Sequence, residues 1–298
     1  MKLLITALSL AVLTYACQKE FSSFRKSEKN GGSIHTFFNS NRAETQSFTA
    51  NSSNYIFINT EKRNSIVFPD NAFITKNNAP VTGSVNIEIK EITTAGEMIL
   101  NNAPTQSGGL PLISAGEFFV RVTKNGDELK LAPGKFIQVN MMNRSGADLT
   151  GMQVFNGDTS SGTVNWVPNN TIGNVVRDSF AVASLFADSL AWLNIDKFVN
   201  EPKIEYSVDP GNTPNRDSTA VFVHLTGQKS VFRFPSSGQD FSSQLMIAGD
   251  ATLVGICVLD GKIYYAMKKT VMQNRSSAQL NFTEIGEEEL KTKLSTLN

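Results

Sequence analysis

Strand-period alternation, two tight hairpin signals and one amphipathic C-terminal stretch predict an all-β chain. It is expected to form two successive β-sandwich domains, with a short C-terminal helix packed on the second. From about residue 45 onward, short runs alternate apolar and polar residues, the period of a strand with one face buried. Asn125-Gly126 and Asp260-Gly261 each separate two such runs, and both dipeptides accept the positive φ angles of a type I′ turn. A chain of 298 residues, 40% of them hydrophobic, has enough apolar material for one large or two modest domains.

The chain opens with Lys2 and an eleven-residue apolar run, LLITALSLAVL, at residues 3–13. A bilayer-spanning helix needs roughly 20 apolar residues, so this run fits the apolar region of an export signal. Ala16 and Cys17 follow it. The arrangement resembles a bacterial lipoprotein signal, with Leu13 one position further from the cysteine than usual and Thr14-Tyr15 between. That resemblance implies lipidation of Cys17 and removal of residues 1–16. One thiol, Cys257, would remain, which leaves no disulfide framework. Residues 18–44 are polar, charged and Gly/Ser-containing. They predict a flexible tether spanning about 30 Å.

In the first expected sandwich, residues 45–172, SVNIEIKEI alternates Val85, Ile87 and Ile89 with Asn86, Glu88 and Lys90. EFFVRVT puts Phe118, Val120 and Val122 on one face and leads through Asn125-Gly126 into DELKL. KFIQVNMM groups Ile137, Val139 and Met141, and the turn clusters PDN, NNAP and APGK punctuate these strands. The polar cluster PNNTIGNVVRD at residues 168–178 suggests a domain boundary. The second sandwich, residues 173–298, then contains TAVFVHL, SVFRF, ATLVGICVL and KIYYAMKK as strands. ATLVGICVL has no polar alternation, which predicts a strand buried on both faces with Cys257 as a packed thiol. In GEEELKTKLSTLN, Leu290, Leu294 and Leu297 form one stripe, and Glu287–Lys291 and Glu289–Lys293 are favourable i,i+4 pairs. Acidic residues in the first turn complete the helix signature.

Several patches together resemble Bacteroidetes-type surface lipoproteins carrying a ZU5-like β-sandwich. They are FPDNAF (residues 68–73), the VTGSVNIEIKEI run, MILNNAPTQSGG, AGEFFV and AWLNIDKF (residues 191–198), where Ala191 replaces the usual glycine. The C-terminal VLDGKIYYAMKK and LNFTEIGEEELKTKL are similar as well. The resemblance implies a β-sandwich fold and an envelope location, and it supplies no catalytic residue. Lys19-Glu20 resembles the short export signals of the same group.

The formal net charge is zero and the pI about 6.8, which gives no bulk field for nucleic acid. Two histidines and two cysteines are too few for a usual zinc site, and the dinucleotide, P-loop and nucleophile-elbow fingerprints are absent, so no cofactor is expected. Sharper candidates remain. Asp209, Asn212, Asn215 and Asp217 in DPGNTPNRDST offer oxygens for calcium without the EF-hand spacing, and are equally ordinary turn formers. His224-Leu225-Thr226 resembles the cleavage triplet of self-cleaving β-sandwich proteins, but also reads as plain strand. Glu88, Glu97 and Glu117 are carboxylates that a glycosidase would need to bring together in a pair. Trp166, Trp192, Tyr264 and Tyr265 are candidates for stacking on sugars or for the core. The expected role is a non-enzymatic binding or envelope-assembly module with a protein or glycan partner. It would be held at the outer membrane through Cys17, with periplasmic or surface display left open. A secreted glycan hydrolase or hydrolase accessory protein is the alternative.

Overall fold

The structure, a computed structural model, describes residues 33–142, 148–169, 177–179, 182–237 and 240–297. Cys17 and the export signal lie outside the described residues. The fold is all-β, with four principal sheets and three short helices among the described residues. Sheet I orders its strands Arg177–Ser179, Val182–Ala187, Ile137–Met142, Ser65–Phe68 and Ile56–Asn59. Sheet II runs Gln46–Asn51, Ser84–Ile92, Leu110–Lys124, Ala191–Phe198, Gln153–Asp158 and Asn165–Pro168. Sheet III runs Val231–Arg233, Thr219–Leu225, Gly249–Leu259, Lys262–Met272 and Thr283–Ile285. Sheet IV runs Ser236–Ser237, Asp240–Ile247, Lys203–Asp209 and Ser276–Gln279, the last pair parallel.

Side-chain alternation sorts these sheets into a four-layer stack with three apolar cores. Val85, Ile87, Ile89, Phe118, Val120, Leu193 and Ile195 of sheet II meet Ile66, Phe68, Ile137 and Val139 of sheet I. Val221, Val223, Leu253 and Cys257 of sheet III meet Tyr206, Val208, Phe241 and Met246 of sheet IV. The other faces of sheets II and III share a third core. Ile92, Leu112, Phe155 and Trp166 lie there with Phe222, Val254, Ile256 and Tyr265. Every residue of Thr219–Leu225 is therefore buried, and Gly249–Leu259 nearly so, as the unbroken apolar run predicted. Both hairpins form as expected, with positive φ at Asn125, Gly126, Asp260 and Gly261.

Three helices fill the middle core: α1 (Ile34–Ser40), α2 (Ala95–Leu100) and α3 (Glu287–Leu294). Helix α1 corrects the expectation of a tether reaching residue 44. Ser33 caps it by accepting the Thr36 N–H, and Ile34, Phe37 and Phe38 are buried, Phe38 edge-on to Phe222 at 6.0 Å. The Gly/Ser/Asn-rich composition of residues 18–44 hid three apolar residues at i, i+3, i+4 spacing, a helical stripe. The sheets also divide later than residue 172. Val182–Ala187 and Ala191–Phe198 pair into sheets I and II, so the change of sandwich comes between Phe198 and Lys203. A turn cluster marks a loop, whereas sheet membership depends on distant partners, such as Val120 opposite Ala191.

Helix α3 buries Leu290 and Leu294, Leu297 just past its end is buried with them as the stripe predicted, and Lys291 reaches Glu287 at 3.0 Å. It packs closely on α2. A Cβ added to Gly96 would sit 2.3 Å from the Leu294 carbonyl oxygen, a contact with backbone that cannot swing aside. Gly96→Ala is expected to destabilise the fold by about 1–3 kcal/mol, the usual cost of overpacking, measured by urea denaturation. Ala191 carries φ of 102°, a strained conformation for a residue with a Cβ. Ala191→Gly is expected to raise stability by about 1 kcal/mol in the same assay; a loss would show that the strain is relieved locally.

Candidate functional site

The middle core is stitched by hydrogen bonds to the main chain of residues 229–231. The Thr105 N–H donates to Val231 O at 2.7 Å, the Val231 N–H to Thr105 Oγ1 at 2.8 Å, and the Ser114 N–H to Lys229 O at 2.8 Å. Lys229 and Arg233 thus flank one seam between the sandwiches, and polar residues gather around each.

Around Lys229 the surroundings are acidic and dry. Its Nζ donates to Ala115 O at 2.9 Å. Asn194 and Glu117 are register partners on neighbouring strands of sheet II, and a bulge after Ile195 sets Asp196 opposite Ser114. Asn194 Nδ2 donates to Asp196 Oδ2 at 2.6 Å, and Ser114 Oγ and Asn194 Oδ1 are 2.8 Å apart. Glu117 and Asp196 are both fully buried. Among the described residues neither Glu117 oxygen nor Asp196 Oδ1 meets a hydrogen-bond partner. Loss of solvation raises both carboxyls well above their ordinary range, and for Glu117 the neighbouring Asp196 adds to the effect. Further out, Glu97 closes a capping box on Thr94 and pairs with Lys62.

Around Arg233 the arrangement opens into a cleft of about 590 Å³. Its walls include His35 of α1, Gln106, Thr163, Arg216, Asp217 and Phe241. Arg233 Nη1 donates to Asn102 Oδ1 at 2.7 Å and Thr163 Oγ1 at 3.0 Å. Its guanidinium lies 5.9 Å from the Phe38 ring centroid and 5.8 Å from that of Phe222. The Arg233 N–H donates to Gln106 Oε1 at 3.1 Å. Burial lowers the guanidinium pKa from its ordinary value, and no carboxylate among the described residues bridges to it. Arg216 stacks over Phe241 at 5.3 Å and donates to Ser236 Oγ and Asp240 O. The volume lies in the range of small-molecule sites.

The residues singled out in the sequence are dispersed. Asp209 Oδ1 and Oδ2 accept from the Gly211 N–H and Gln279 Nε2, Asn212 brackets Phe282, and Asn215 Oδ1 accepts the Ser218 N–H. These groups brace their loop, and of the four only Asp217 lines the cleft. Among the described residues no group of three or more His, Cys, Asp or Glu converges as a metal site would require. His224 is buried, its Nε2 donating to Gln228 O at 3.1 Å, and the Thr226 N–H pairs with Asp250 O. Burial lowers the His224 pKa. Glu88 pairs with Arg121, Glu97 caps α2 and Glu117 is sealed in the junction, so these three carboxylates hold separate structural positions. Trp166 is core, its Nε1 donating to Pro104 O, and Trp192 packs on Trp166 and Phe119. Tyr265 is buried, its hydroxyl without a partner among the described residues, and burial pushes its pKa up to about 12; Tyr264 is partly buried against the III–IV core. Cys257 is a buried free thiol.

Arg233, which lines the cleft, is not singled out by the sequence. The one available signal is parity: in SVFRF it shares a strand face with Val231, between two core phenylalanines, an unusual place for a cation. No family model, curated protein or solved structure matches the chain.

The acid pair has a direct consequence for stability. The unfolded chain releases the Glu117 proton near the ordinary value of 4.5, while the folded chain holds it to higher pH. The stabilisation is complete below that value and declines as pH rises towards the folded-state pKa. Glu117→Gln removes this titration, so urea denaturation at pH 5 and pH 8 is expected to show a smaller loss for the variant than for the wild type. Equal losses would mean that Glu117 is ionised in the folded state.

Proposed function

We propose that this chain is a lipid-anchored envelope protein that binds a small ligand in the cleft between its two sandwiches. The observation that carries the binding half is Arg233, a half-buried cation with no carboxylate partner among the described residues, placed in the wall of a cleft of ligand size. A guanidinium keeps its proton under all ordinary conditions, so its cost of burial can be offset only by neighbours or by something that enters. The anchoring half is supported by the apolar run at residues 3–13 followed by Ala16-Cys17, and by the similarity of several patches to ZU5-like surface lipoproteins. Residues 18–32 then separate the lipidated thiol from Ser33, the cap of the first helix. Several acyl chains on one cysteine bind a bilayer far more firmly than a single chain. Among the described residues no helix is long and apolar enough to cross a membrane.

The anchor is tested by replacing Cys17. In cells labelled with palmitate, the wild-type chain is expected to carry the label and to sediment with membranes. Cys17→Ser should lose the label and, where the signal is still processed, leave the membrane fraction. A labelled Cys17→Ser chain would place the lipid elsewhere.

A further inference from the structure

We propose that the cleft takes a ligand bearing a carboxylate, gripped side-on by the Nε–Nη2 edge of Arg233. This inference rests on the reading of the cleft as a binding site. Of the five guanidinium N–H donors, those on Nη1 are engaged by Asn102 and Thr163. Nε and Nη2 have no protein acceptor among the described residues, and neither is one of the sealed, unpartnered atoms of the junction. Arg233 lines the cleft, so a ligand there can meet these two nitrogens. Together they present parallel N–H bonds on one edge, the geometry that matches the two oxygens of a planar carboxylate.

The edge is held in place before any ligand arrives. Two acceptors fix Nη1, and the rings of Phe38 and Phe222 flank the guanidinium. A preorganised fork loses little freedom on binding, which favours affinity. The surrounding charge agrees: two arginines line the cleft against one carboxylate, Asp217. Gln106 Nε2 has no acceptor among the described residues and offers a further donor, while Phe241, Pro235 and Leu245 supply an apolar wall for the body of the ligand. A ring or short chain carrying a carboxylate fits this combination. Two sources share that chemistry, a hexuronate unit of an acidic glycan and an aryl or alkyl carboxylic acid.

Calorimetric titration of the full chain in detergent micelles tests the assignment with two pairs of probes: digalacturonate against its diamide, and phenylacetate against phenylacetamide. At least one acid is expected to bind about ten- to a hundredfold more tightly than its amide, the worth of charge-assisted hydrogen bonds. Which acid binds separates the glycan from the simple acid. Arg233→Lys keeps the charge and loses the fork, and should remove most of that preference. Should this half-buried variant not fold, the wild-type acid–amide comparison still decides. Equal binding of acid and amide, weakened in both by Ser161→Trp at the cleft lip, overturns the carboxylate assignment and keeps the cleft. A preference for the acid that survives Arg233→Lys unchanged overturns the role of Arg233. Binding of none of the four overturns the inference outright, and acid binding indifferent to Ser161→Trp overturns the cleft reading with it.

Discussion

Sheets II and III are covered on both faces, and the distinctive features of this molecule follow from the apolar layer where they meet. A sandwich usually leaves the outer face of each sheet to water. Here Ile92, Leu112, Phe155 and Trp166 on one sheet and Phe222, Val254 and Ile256 on the other exclude water from the space between. The three helices fill the gaps that two twisted sheets leave. Polar groups on these faces are therefore buried wherever the strand register places them.

The same dry layer has opposite consequences for acids and for arginine. For Glu117 and Asp196 burial raises the carboxyl pKa and so favours the uncharged form, at the cost of oxygens that meet no hydrogen-bond partner among the described residues. Arg233 has no such escape, because a guanidinium does not lose its proton in a protein. Its charge is met by Asn102, Thr163 and the faces of Phe38 and Phe222, with the remaining edge left without an acceptor among the described residues. One seam thus holds two acids of raised pKa near Lys229 and a permanent cation at Arg233. Function is better sought at the cation, since the acids are sealed from any substrate.

Local features of the fold are legible in the sequence, and junction features are not. Asn125-Gly126 and Asp260-Gly261 determine their own turns, and the leucine stripe of residues 290–297 determines its own helix face. ATLVGICVL states its double burial through the lack of polar alternation. By contrast, Trp166 gives no local sign of whether it faces a sugar or the core, because the surface covering it comes from a distant part of the chain. The strand at 191–198 follows a turn cluster yet belongs to the earlier sheet, through pairing with Phe118 and Phe119. Arg233 is harder still. Strand parity marks its face as inward, but the open edge depends on Asn102, Thr163 and Phe38, residues no spacing rule connects.

Helix α1 links these observations to the N-terminus of the chain. Its seven residues are too few to be helical alone, so its structure depends on Phe37 and Phe38 entering the middle core. Phe38 is also one of the two rings against Arg233, and His35 stands in the cleft wall. The segment that follows the expected anchor thereby completes the candidate site as well as closing the core. Undocking α1 would remove one π face from the guanidinium and one wall from the cleft together, while sheets II and III kept their own hydrogen-bonded ladders. The integrity of the cleft is in this way coupled to a single short helix, whose docking rests on the same apolar layer that flanks Arg233.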